Sequence, residues 1–139
     1  MAASPMLQPV FAMAAITFAV WLRLYVVRIP EMRRRRIHPQ AVAGSAAKAT
    51  AFEDTRASDN FINLFEMPVL FYVAAFVAIL ADGVTPLALA LAWGFVGLRA
   101  VHSLIQCSYN RVMHRFAVYS LSSVVLAALW VHLALRVLA

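Results

Sequence analysis

Cysteine is all but missing: Cys107 stands alone among 139 residues, so no intrachain disulfide can form and no redox compartment is implied. No second Cys or His lies at ligand spacing around it, which argues against a structural zinc site. Charge is scarce as well. Only 13% of residues are charged, against about 25% in an ordinary soluble domain. No internal repeat or low-complexity tract breaks the pattern. The apolar share is 64%, against a usual share of roughly 45–50%, and it is concentrated in long blocks. Such a chain is an integral membrane protein, one small domain with no room for a separate soluble module.

Four apolar blocks predict four membrane-spanning helices, over residues 6–29, 59–81, 85–109 and 116–138. Each is long enough for a hydrocarbon core of about 30 Å at 1.5 Å per residue. Helix is the required form, because unpaired backbone groups in lipid cost too much. The fold class is therefore all-α, an integral membrane four-helix bundle. Residues 1–5 carry no Lys or Arg before the first apolar run, so that run reads as a retained span and not a cleavable signal. Asp82, Gly83, Thr85 and Pro86 supply turn chemistry for a tight antiparallel return between the second and third spans. Residues 41–51 are rich in Ala and helix-prone, as a possible extension of the second span. Pro30 and Pro39 keep the stretch before them irregular.

Net charge is +6, but the cations flank apolar spans and do not line an aromatic-studded face, so nucleic acid is not the expected partner. They report orientation instead. Arg33, Arg34, Arg35, Arg36, Lys48 and Arg56 lie in the first connection, Arg111 and Arg115 in the third, and only Asp82 in the second. The positive-inside rule then places both basic connections in the cytoplasm and both termini on the other side. Arg23 and Arg28, at the end of the first span, have stems long enough to snorkel toward headgroups.

The informative residues are the polar ones inside these spans, since ionisable groups at bilayer depth are costly and tend to mark function. Asp59, Asn63 and Glu66 recur at i, i+4 and i+7 on the second helix. Arg99, His102, Gln106 and Tyr109 recur at i, i+3, i+7 and i+10 on the third. Arg111, Arg115 and Tyr119 enter the fourth. Three stripes at one depth predict a single polar cavity open to the cytoplasm. An ion pair between Glu66 and Arg99, with Asn63 and His102 hydrogen-bonding across helices, would account for part of this set as packing. It leaves Arg111, Arg115, Tyr109 and Tyr119 over. A surplus of guanidinium forks points to an anionic ligand.

The segment Asn63-Leu64-Phe65-Glu66-Met67-Pro68, the pair Arg99 and His102, and the spacing of Arg111, Arg115 and Tyr119 resemble the MAPEG family, membrane-associated proteins in eicosanoid and glutathione metabolism. The resemblance implies a homotrimer of four-helix subunits that takes glutathione as thiol co-substrate between neighbouring subunits. By that resemblance Arg115 and Tyr119 are the catalytic pair. Asn63, Glu66, Arg99, His102, Tyr109 and Arg111 bind glutathione, with Arg99 bracing Glu66 and Arg28 or one of Arg33, Arg34, Arg35 and Arg36 adding a first-helix cation. The implied activity is a membrane transferase or peroxidase acting on a hydrophobic electrophile in contact with membrane lipid. Asp59, Gln106 and Phe116 depart from the family pattern, where an arginine, a tyrosine and a hydroxyl are common. These departures motivate a second reading, a non-enzymatic lipid-binding or accessory subunit of a larger membrane complex. A small exporter fits less well, because transport sites lie near the midplane and these stripes do not.

Overall fold

The computed structural model describes residues 4–138, and they contain helices and no strand. Helix α1 spans Leu7–Arg34, α2 Ser45–Ala51, α3 Arg56–Asn63, α4 Met67–Leu80, α5 Pro86–Cys107 and α6 Val112–Val137, with a 3-10 turn at Pro39–Val42. Helix α1, the α3–α4 pair, α5 and α6 are the four units long and apolar enough to cross a membrane. The protein is an integral, multi-pass membrane protein in contact with lipid.

Helix α5 is the centre of the bundle: 44% of its apolar stretch is buried, against 11% for α1. It packs along α6 and also meets α1, α3 and α4. Ala74, Ala75 and Ala78 on α4, with Ala88 and Ala92 on α5, are fully buried. Small side chains let helices approach closely, which is how packing substitutes for the hydrophobic effect within lipid. Phe71 and Phe95 stack at 5.0 Å beside them, and Leu126, Leu129 and Leu133 close the layer from α6.

At one end the α4–α5 return is tight because Asp82 takes a left-handed φ of 50° and the Gly83 N–H donates to the Ala78 carbonyl at 2.8 Å. A Cβ on Gly83 would meet the Leu133 side chain at 3.2 Å. The Thr85 hydroxyl then caps α5 by accepting from the Ala88 N–H at 3.1 Å, and Pro86 occupies the first turn, where its missing N–H costs nothing.

The other end is basic. Glu31, buried near the end of α1, accepts from the Glu53 N–H at 2.7 Å and pairs with Arg35 at 3.3 Å; Arg35 also donates to the Ala51 carbonyl. Asp54 takes both forks of Arg56, which holds its carboxyl below the usual carboxylate range. Arg23 does not reach outward to headgroups. It donates to the Cys107 carbonyl at 2.7 Å, and Arg56 donates to the neighbouring Ser108 carbonyl. Both groups satisfy carbonyls left open at the C-terminus of α5, and cations are favoured there. Helix α2 is separate from the second span, divided from α3 by residues 52–55.

Candidate functional site

The second span is not one helix. It breaks between Asn63 and Met67, with Leu64, Phe65 and Glu66 forming the turn. Pro68 lies at the second position of α4, where it contributes no backbone donor to the turn before it. The Asn63 carbonyl released at this break accepts from Arg99 Nη2 at 2.8 Å. A bare carbonyl in hydrocarbon would cost several kcal/mol, so the buried arginine and the break complement each other.

That arrangement corrects the expected brace between Arg99 and Glu66. Among the described residues no ion pair joins them. The break carries Glu66 to the exposed side, and Arg99 is spent on the backbone instead. Arg99 is 0% exposed, yet its Nε and Nη1 have no hydrogen-bond partner. Its guanidinium lies 5.4 Å from the centre of the Tyr119 ring, a cation–π contact.

Next to Arg99, His102 Nε2 is 2.9 Å from Gln106 Oε1, which also accepts from Asn63 Nδ2 at 3.1 Å. A carbonyl oxygen only accepts, so Nε2 must carry a proton. In the neutral ring this leaves Nδ1 as a lone-pair acceptor, and it has no partner. The His102 and Tyr119 rings sit 5.7 Å apart. Arg115 is set from the α5–α6 link: Asn110 turns the chain with a left-handed φ of 50° and accepts from Arg115 Nη1 at 3.0 Å. Asn tolerates that conformation better than most residues.

A cavity of about 220 Å³ collects these groups, lined by Asn63, Glu66, His102, Val112, Arg115, Phe116 and Tyr119. Of the residues named from sequence, Asn63, Glu66, His102, Arg115 and Tyr119 line it, and Arg99 backs it through the Asn63 carbonyl and the Tyr119 ring. Two do not. Tyr109 is exposed and pairs with His114 at 3.2 Å, and Arg111 is exposed where α6 begins. Asp59 also leaves the stripe: it accepts from the Thr55 hydroxyl and lines a different cleft, with Arg28 and Lys48. One turn nearer the basic end, Asp59 thus shares a cleft with side chains of α1 and α2 and none of α5 or α6.

Gln106, placed in the α5 stripe by its spacing, is the hub joining Asn63 to His102. One residue of this network was not read from the sequence. Asn60, fully buried, holds Ser103 Oγ at 3.3 Å and reaches Cys107 Sγ at 3.4 Å just below. The i, i+3 spacing of Asn60 with Asn63 was the available signal.

Charge balance follows from the geometry. Arg115 brings one guanidinium group to the cavity and Glu66 one carboxylate, Arg99 adds a second cation buried behind the wall, and none of the three pairs with another. A model of the MAPEG family matches residues 6–135, all four spans and every residue of this cavity. The chain belongs to the MAPEG family. Association of this MAPEG protein with glutathione chemistry is the general expectation for the family. No curated protein and no solved structure matches the chain.

Proposed function

We propose that this protein is a glutathione-dependent membrane transferase or peroxidase acting on hydrophobic electrophiles. The observation that carries the reading is the shared cavity, where Arg115, bound to no carboxylate, meets Glu66 within reach of lipid, with the buried cation of Arg99 behind the wall. Glutathione has two carboxylates, one ammonium and a thiol, and this donor set fits it. Guanidinium forks hold carboxylates in a bidentate manner, Glu66 takes the ammonium, and Asn63 holds the peptide backbone. Bound glutathione supplies the nucleophilic sulfur.

Arg115 does the chemical work of the protein. A free thiol has a pKa of about 8.5, and an adjacent guanidinium lowers it, raising the thiolate fraction. The Tyr119 hydroxyl adds a donor beside the sulfur. In conjugation the C–S bond forms as the leaving group departs with its electron pair; no covalent bond to the protein is needed. The exposed wall made by Phe116 and Val112 is the side from which a lipid-dissolved electrophile would arrive.

The cavity is smaller than the roughly 300–1,000 Å³ of ordinary ligand sites and open on the Glu66 side. A neighbouring copy would complete it, which supports an oligomer of single-domain, four-span subunits with sites between them; the family resemblance makes a homotrimer the expected form of that oligomer. The excess of cations at the end carrying the cavity supports a cytoplasmic placement of that end.

Calorimetry in detergent should register saturable glutathione binding, and its absence at millimolar concentration would refute the proposal. Arg115→Ala should abolish conjugation while the oligomer persists. A second reading, a lipid-binding or accessory subunit without thiol chemistry, draws support from Asp59, which faces away from the cavity. Stoichiometric recovery with a larger membrane complex, and no thiol activity, would favour it.

A further inference from the structure

A second cleft is larger than the one described above. Between α1, α2 and the start of α3, a space of about 510 Å³ is lined by Arg28, Lys48, Thr55 and Asp59, over a floor of Leu24, Phe61 and Ile62. It lies where the first span ends, at the level of the membrane surface, with cations on top and apolar side chains beneath.

Its charges are arranged for a guest. Among the described residues neither Arg28 nor Lys48 has a carboxylate within ion-pairing distance, although Glu31, Glu53 and Asp54 nearby are all paired. The Arg28 guanidinium lies over the buried Phe52 ring at 4.3 Å, a cation–π contact that positions it without using a carboxylate. Asp59 is steadied by the Thr55 hydroxyl at 2.8 Å through one oxygen only. One positioned guanidinium, one exposed ammonium and one carboxylate above an apolar floor match a headgroup with a phosphate and a protonated amine, its acyl chains running along Leu24, Phe61 and Ile62. Basic pockets between membrane helices at a bilayer surface take lipid phosphates in this way.

We propose that this cleft binds the headgroup of an aminophospholipid, with Arg28 and Lys48 on the phosphate and Asp59 on the ammonium. The site is separate from the cavity around Arg115 and shares no lining residue with it. The carboxylate makes the cleft selective: it pairs with a primary ammonium, which the neutral glycerol of phosphatidylglycerol cannot supply, so phosphatidylethanolamine is preferred over phosphatidylglycerol.

The test is native mass spectrometry of the full chain extracted from nanodiscs of phosphatidylcholine with equal shares of phosphatidylethanolamine and phosphatidylglycerol. Wild type should retain phosphatidylethanolamine in excess. The double variant Arg28→Gln, Lys48→Gln should lose retained phospholipid about tenfold or more, each surface cation being worth roughly fivefold. Asp59→Asn should keep phospholipid but lose the preference for the amine, a result that stands even if the double variant fails to fold. Any of four results overturns the proposal: no amine preference in wild type, undiminished retention in the double variant, an equal loss in the control Arg33→Gln, Arg36→Gln, or displacement of the lipid by millimolar inorganic phosphate or glutathione.

Discussion

Two polar regions of this molecule, less than a helix length apart, handle charge in opposite ways. Where α1 closes on the segment before α3, three carboxylates are matched: Glu31 to Arg35 and the Glu53 N–H, Glu53 to Arg34, Asp54 to Arg56. Around the α3–α4 break the reverse holds. Arg99 leaves two N–H groups unused, His102 Nδ1 has no partner, and neither Arg99 nor Arg115 pairs with Glu66. Buried polar groups without partners are expensive. A saturated network spends its groups on holding the chain; an unsaturated one, more deeply buried, keeps them available for something that arrives later.

Substitutions can break that contrast in order of size. Arg115→Ala should cost the largest amount, about 10²–10³ in kcat, as for other preorganised donors to a developing charge. Circular-dichroism melting should register little change. Glu31→Gln should do the opposite, lowering thermal stability by about 2 kcal/mol through loss of a charged acceptor, with glutathione affinity unaltered within twofold by calorimetry. A loss of affinity there would mean that the two regions are not independent. Arg99→Met should weaken glutathione binding about tenfold, or about 1.4 kcal/mol. Its effect on melting should be small, since the Asn63 carbonyl loses a donor while a half-satisfied buried cation is also removed.

The smallest effect concerns acid. Arg56 depresses the Asp54 carboxyl, so this pair stabilises the fold fully above the ordinary carboxylate value of 3.8 and less as pH falls through the lowered one. Because both side chains are partly exposed, the contribution is on the order of 1 kcal/mol. Melting temperature measured between pH 6 and pH 3 should drop less steeply for Asp54→Asn than for wild type. Equal slopes would assign the acid sensitivity to other groups.

The four membrane-capable helices were legible from runs of about 20 apolar residues, since bilayer thickness sets that length directly. The meeting of Asn63, His102, Arg115 and Tyr119 followed from helical spacing alone. What spacing could not convey was the break. Pro68 signalled some disturbance, but which carbonyl it would free, and that Arg99 would take it, depends on how α5 lies against α3. With the break came the outward turn of Glu66, and an expected ion pair became a backbone bond. Asp59 misled for a related reason: residues one turn apart share a face yet meet different neighbours when helices end at different heights. Arg23 was legible only as a cation near a membrane surface, because its acceptor lies 84 residues away.

That last bond has a mechanical side. Guanidinium groups from two different helices grip consecutive carbonyls at the close of α5, so this terminus is a moored post and not a fraying tip. Asn110 hangs two residues beyond it, and Arg115 leans on Asn110. Cutting either mooring would let Arg115 swing without touching any group that lines its cavity.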